Sequence, residues 1–200
     1  MEPAQQEKSP RQRILDTAMR LFFSQGYLAT GINQIIEEAE VCKASFYSNF
    51  PSKDDLCVEY IKVSHEKWMD LLQKEVSKQK KSYDQLMAIF MFLENWMEAC
   101  SYRGCGLMNI SSEVPETKGK IRRMIQERNG VLKATISMMV SQLKKSDRRY
   151  KALNVEDVAG FMMMIVQGAV ALSQAHANAI AISHARKNFK RFLDSYVAEV

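Results

Sequence analysis

Residues 39–56 read Ala39-Glu40-Val41-Cys42-Lys43-Ala44-Ser45-Phe46-Tyr47-Ser48-Asn49-Phe50-Pro51-Ser52-Lys53-Asp54-Asp55-Leu56. A proline pushes the residue before it out of the α region, so a short helix starting near Lys43 must stop at Phe50. Ser52 to Asp55 then form a capping box in its aspartate form. It opens a long helix carrying Leu56, Tyr60, Ile61, Trp68, Leu71, Leu72 and Val76. Upstream, Thr30 is the expected N-cap of another short helix that buries Ile32, Ile35, Ile36 and Ala39. Two short helices with a tight link, followed by a long one, are the parts of a helix-turn-helix. Within the second short helix Phe46 and Phe50 stand four apart and share an inward face. Lys43, Ala44, Ser45, Tyr47, Ser48 and Asn49 fall on the other faces. They offer donors, acceptors and a methyl group, the chemistry that base edges in a DNA major groove accept.

The same 3.6-residue period runs through the rest of the chain, and no alternating strand pattern stands out. Ile14, Leu15, Ala18, Leu21 and Phe22 form a first stripe, with Gly26 placed to end it. The polar stretch 77–82 is a break, after which Leu86, Met87, Phe90, Leu93 and Met97 form a stripe up to the loop Arg103-Gly104-Cys105-Gly106. Pro115 precedes a long helix with Ile121, Ile125, Leu132, Ile136, Met139 and Leu143. Two more helices follow, one centred on Phe161 and Ile165, the other on Phe189 and Phe192. The expectation is an all-α chain of roughly nine helices. Residues 1–52 would form the helix-turn-helix domain and residues 53–200 a larger helical body.

Composition supports a folded chain: 46% of the residues are hydrophobic and 26% charged, with only 8 Gly and 4 Pro among 200. The longest unbroken apolar runs, such as 162–166, are far shorter than the roughly 20 residues that span a bilayer. The polar N-terminus lacks the apolar segment of a signal peptide, so a cytoplasmic location without a membrane partner is the expectation. The formal charge of +5 does not point to nucleic acid. Residues 1–62 carry seven cations against nine acids, and the excess lies in residues 63–153, with 17 against 10. Only local placement can argue for DNA.

The stretch from Arg13 to Leu56 resembles the TetR family of regulators. The matching positions include Ala18, Leu21-Phe22, Gly26-Tyr27, Thr30, Ile35, Ala39 to Tyr47, and Phe50-Pro51-Ser52-Lys53. The resemblance implies a repressor that binds a pseudo-palindromic operator as a dimer and is released by a small apolar, aromatic or electrophilic effector. It also implies roles for residues. Thr30 would meet a phosphate, Lys43, Tyr47 and Lys53 would hold the backbone, and Ala44, Ser45 and Ser48, with Asn49 beside them, would meet base edges. Three positions depart from the family pattern. Glu40 stands where Gly is usual, Ile36 where a small Ala is usual, and Cys42 where a Ser cap is usual. A left-handed Glu40 costs on the order of 1 kcal/mol.

In the helical body the resemblance implies an effector cavity, and methionines are abundant there, with 13 in the chain. A single Met is ordinary core filling, whereas the group suits a cavity that accepts varied apolar shapes. Phe90, Trp96, Met97, Cys100, Cys105, Met124, Phe161 and Met164 are the candidate lining. Cys105, between two glycines and after Arg103, is either an inert thiol or an electrophile sensor with Cys100 as its partner. The residues around it resemble a branch that includes electrophile-responsive repressors of reductase genes. Lys8, Arg11 and Arg13 are either an arm that reaches DNA or a solvated segment. Lys118, Lys120, Arg122, Arg123 and Arg128 are either a solvated face or a contact with DNA flanks or an acidic partner. The last two helices, rich in Gly and Ala, would pair with their copies in a homodimer or serve an internal core. No spacing of His65, His176, His184 or the cysteines suggests a metal, and no motif suggests a cofactor or an enzyme. The rival reading is a helical ligand-binding or interaction module without DNA binding.

Overall fold

The computed structural model describes residues 8–197, and every described element is helical. By its contacts the chain falls into two compact units. Whereas a single cut near residue 52 is the expectation, the first unit extends to His65 and takes in Gly106–Gln126 as well. The second holds Glu66–Cys105 and the chain from Glu127 onward.

The first unit contains α1 (Pro10–Ser24), α2 (Ile32–Glu38), α3 (Lys43–Asn49), the first half of α4 (Lys53–Val76), α6 (Gly106–Glu113) and the start of α7 (Lys120–Ser146). Ser9 caps α1, its hydroxyl accepting the Gln12 amide at 3.3 Å, and Pro10 sits at the first helical position, where a missing N–H is harmless. Gly26 ends that helix with φ of 98°. A Cβ there would lie 2.7 Å from a Glu113 carboxylate oxygen, so this turn requires glycine twice over. Ile14, Leu15, Ala18, Leu21 and Phe22 are buried, as the stripe predicts. The Phe22 ring meets Tyr27 and Tyr60 edge-on at 5.5 and 5.4 Å. Thr30 is not the cap of α2. Gly31 holds that position without a side-chain hydrogen bond, because the Thr30 hydroxyl is turned inward and donates to the Gly26 carbonyl at 2.6 Å. α6 carries no stripe long enough to mark it in the sequence, and it packs through Leu107 and Ile110.

The second unit contains the rest of α4 and α7, α5 (Ser82–Ala99), a 3-10 turn at Arg148–Tyr150, α8 (Val155–His176) and α9 (Ile180–Asp194). Asn154 caps α8 by accepting the Glu156 and Asp157 amides at 3.1 and 3.4 Å, and those two acids suit the positive end of the helix. By length and composition α8 could cross a membrane, its mean hydropathy reaching 1.6. Its buried face, through Val158, Met162, Val166 and Val170, packs against α5 and α9. Phe161 lies 4.3 Å from the Phe192 ring and stacks on Phe189 at 6.3 Å, while Phe90 meets Phe189 at 5.6 Å.

Candidate nucleic-acid interface

Four residues, Ala39 to Cys42, join α2 to α3. Glu40 takes φ of 53°, the left-handed conformation that its glycine-like position demands. Its amide bonds the Glu37 carbonyl at 3.0 Å and the Val41 amide bonds that of Ile36 at 3.1 Å. This is a Schellman closure with glutamate in the glycine place. The Glu40 side chain is 86% exposed and only 4.0 Å from Arg13, a weak pairing that does little to offset the strain. Cys42 does cap α3, its Sγ accepting the Ser45 amide at 3.4 Å.

Phe46 is fully buried and Phe50 nearly so, which fixes how α3 is rotated. Lys43, Ala44, Tyr47 and Ser48 are consequently exposed, and Ser45 and Asn49 lie at the edge of the face. Tyr47 is held edge-on against Phe46 at 5.2 Å, which orders its ring at the surface. Ser48 Oγ and Asn49 Nδ2 both donate to the Ser45 carbonyl, at 2.9 and 2.8 Å. Lys53 places its ammonium 4.3 Å over the Tyr27 ring, and partial burial pushes its pKa down. Tyr27 in turn donates to Asp54 at 2.5 Å. Thr30 is wholly buried, so of the eight candidate residues it alone lies beneath the surface.

The acidity of this part of the chain has a local answer. From Val41 to Lys53 there are two lysines and no acid. Around that stretch, Glu38 is paired with Arg20, Glu59 with Arg11, Asp16 with Lys8, and Asp55 with Lys120. The three residues of the possible N-terminal arm are thus engaged on the protein itself, and Arg11 also lies 5.1 Å from the Phe50 ring.

Contacts invisible in the local pattern tie this region to α6 and α7. The Leu28 amide donates to Glu113 at 2.7 Å. Lys120 Nζ reaches Asp55 at 2.6 Å and the Ser52 hydroxyl at 3.2 Å, clamping the cap of α4. Arg122 donates to the Val114 carbonyl at 2.6 Å and the Ser111 carbonyl at 3.1 Å, closing the end of α6. The basic cluster seen in the sequence is therefore largely internal wiring: Arg128 also pairs with Glu66 and Glu127, and Arg123 bonds the Lys118 carbonyl. Partners 65 to 85 residues apart leave no spacing signal.

The candidate effector residues differ in burial. Phe90 and Met97 are fully buried, Met164 is 69% exposed, and Met124 lies in the other unit. Trp96 and Phe161 are half-buried among rings, Trp96 at 6.1 Å from Trp68. Cys100 donates to the Met97 carbonyl, and Cys105 is half-exposed. A cavity of about 690 Å³ does exist in the second unit, but none of these eight residues lines it. Among the described residues no cluster of His, Cys, Asp and Glu could hold a metal.

Residues 14–60 match the family profile of bacterial regulatory proteins of the tetR family, and residues 82–189 match that of the tetracyclin repressor-like C-terminal domain. Over 85 residues the chain is 39% identical to the uncharacterized HTH-type transcriptional regulator YxaF of Bacillus subtilis, which covers 42% of this chain and 43% of that protein. The chain thus spans less than half the length of that relative. It is 22% identical to the Escherichia coli HTH-type transcriptional repressor ComR over 79% of this chain and 76% of that one. A TetR-family regulator from Cytophaga hutchinsonii shares the fold, with a TM-score of 0.82 at 19% identity over 98% of this chain and all of that one. With both profiles matched in order and the fold shared end to end, the chain belongs to the tetR family of bacterial regulatory proteins.

Proposed function

We propose that this chain is a DNA-binding transcriptional repressor of the cytoplasm, acting as a homodimer on a pseudo-palindromic operator. The observation that carries the reading is the rotation of α3. Phe46 and Phe50 lock it to the core while Lys43, Ala44, Tyr47 and Ser48 face outward on a stretch free of acids. Lys43, Tyr47 and Lys53 would hold phosphates, and Ala44, Ser45, Ser48 and Asn49 would meet base edges. Thr30 would contribute by holding the corner before α2 rather than through a hydroxyl contact.

Dimerisation through α8 and α9 has its own support. Met164, Leu172 and Ile180 are 69%, 53% and 60% exposed, and Gly168, Ala171 and Ala175 stand exposed beside them. Such a face permits close approach of a second copy. Release would follow binding of a small apolar, aromatic or electrophilic effector that favours a conformation unfit for the operator. Glu113 and Lys120 are the contacts through which a shift of α6 or α7 would reach the helix-turn-helix.

A footprint on the DNA flanking the gene, run at several salt concentrations, tests the reading. A protected pseudo-palindrome with steep salt dependence is expected. A dimer that protects no sequence would instead mark a helical module without DNA binding. Met164→Glu with Leu172→Glu should give a monomer that no longer protects the operator.

A further inference from the structure

The cavity of the second unit lies where the start of α5, the end of α7, the 3-10 turn and the end of α9 converge. Its volume of about 690 Å³ falls within the range of small-molecule sites. Two tyrosines, Tyr83 and Tyr150, stand in its wall with rings nearly parallel at 6.0 Å. Tyr150 is buried and Tyr83 half-exposed, so one ring is anchored and the other is partly open to the cavity.

The charge around those rings is unevenly committed. Four cations line the cavity, Lys80, Lys81, Arg149 and Lys190, with three carboxylates, Asp84, Asp147 and Asp194. Arg149 and Asp147 satisfy each other through a forked pair at 2.6 and 3.1 Å. Lys80, Lys81 and Lys190 have no ion pair among the described residues, although carboxylates stand in the same wall. Ser82 and Ser146 bond one another at 3.1 Å across the cavity and can turn to an incoming acceptor. Burial and the nearby Asp194 raise the Tyr83 phenol to about 12, so it keeps its proton and can donate well above neutral pH.

We infer that this cavity binds an aromatic phosphate ester, the base or aryl ring lying on Tyr83 and the phosphate among Lys80, Lys81 and Lys190. The ring accounts for the half-exposed tyrosine, and the phosphate accounts for three lysines without ion pairs, which outweigh Asp84 and Asp194 by one positive charge. A neutral apolar compound would leave those lysines unmatched, and a bare anion would leave the stacked tyrosines unused. The site belongs to the second unit, and its ligand binding stands or falls independently of DNA binding.

Calorimetric titration of the full chain with adenosine monophosphate, phenyl phosphate, adenosine and inorganic phosphate tests it. Both esters should bind at least tenfold more tightly than adenosine or inorganic phosphate, and the pair also distinguishes a nucleotide from a simpler aryl source. Tyr83→Ala should weaken ester binding about tenfold, and Lys81→Glu with Lys190→Glu, both at exposed positions, should abolish it without unfolding the chain. The inference is overturned if neither ester binds, if inorganic phosphate binds as well as the esters, or if the lysine variant binds as the parent does.

Discussion

The helix-turn-helix region and the second unit use opposite means to hold their functional residues. In the first, single contacts with fixed geometry do the work: a left-handed Glu40, a sulfur cap at Cys42, a glycine under Glu113, and a lysine clamped on Ser52 and Asp55. In the second, broad apolar packing does it, with rings such as Phe90, Phe161, Phe189 and Phe192 massed together. Contacts of the first kind require particular residues at particular positions. Packing of the second kind accepts many residues of similar volume, so it encodes a shape without marking a site.

The sharpest way to break that comparison is to remove the anchor that sets the rotation of α3. Phe46→Ala should destabilise the fold by about 3–5 kcal/mol, the cost of emptying a fully buried ring site. Chemical denaturation checks it, and a loss under 1 kcal/mol would show that α3 is held by something else. Gly26→Ala comes next, with an expected loss of more than about 1 kcal/mol, since it forces a left-handed alanine against Glu113. Were the melting temperature unchanged, the Leu28–Glu113 contact would have to be pliable.

Glu40→Gly should act in the other direction, stabilising by about 0.5–1 kcal/mol through relief of the left-handed glutamate. Thermal melting of the two chains side by side reads the sign. The smallest effect concerns Asp55. Hydrogen bonds from Lys120 and Ser52 hold its carboxyl below the usual carboxylate value. A lowered folded pKa stabilises above the unfolded value, near pH 4, and that contribution fades as pH falls through the folded one. Lys120→Met should move the Asp55 titration back up toward the ordinary range, which carbon-detected NMR can follow.

These contrasts explain what the sequence could convey. The breaks at Gly26, Pro51 and residues 77–82 and the inward Phe46 and Phe50 are local, and all stand where the spacing puts them. Thr30 misled because a threonine before a helix fits two hydrogen bonds, one to the helix ahead and one to the turn behind, and the buried Gly26 carbonyl claims it. α6 escaped because eight residues with two buried positions make no stripe. The burial of the candidate effector residues was not legible for a deeper reason. Met97 and Met162 are core while Met138 and Met164 are 67% and 69% exposed, and composition cannot distinguish a methionine that fills from one that faces water. The cavity of lysines and tyrosines joins residues 80–84 to 143–150 and 190–194, a convergence that only the tertiary fold produces.

An anisotropy titration of Tyr47→Ala against the footprinted operator tests the central claim most directly. Tyr47 is 42% exposed and rests on Phe46 without holding it, so the variant should keep its melting temperature and its dimer. The account predicts at least a tenfold loss of operator affinity. Unchanged affinity in a folded, dimeric Tyr47→Ala would contradict it, because the outward face of α3 would then not be the surface that meets DNA.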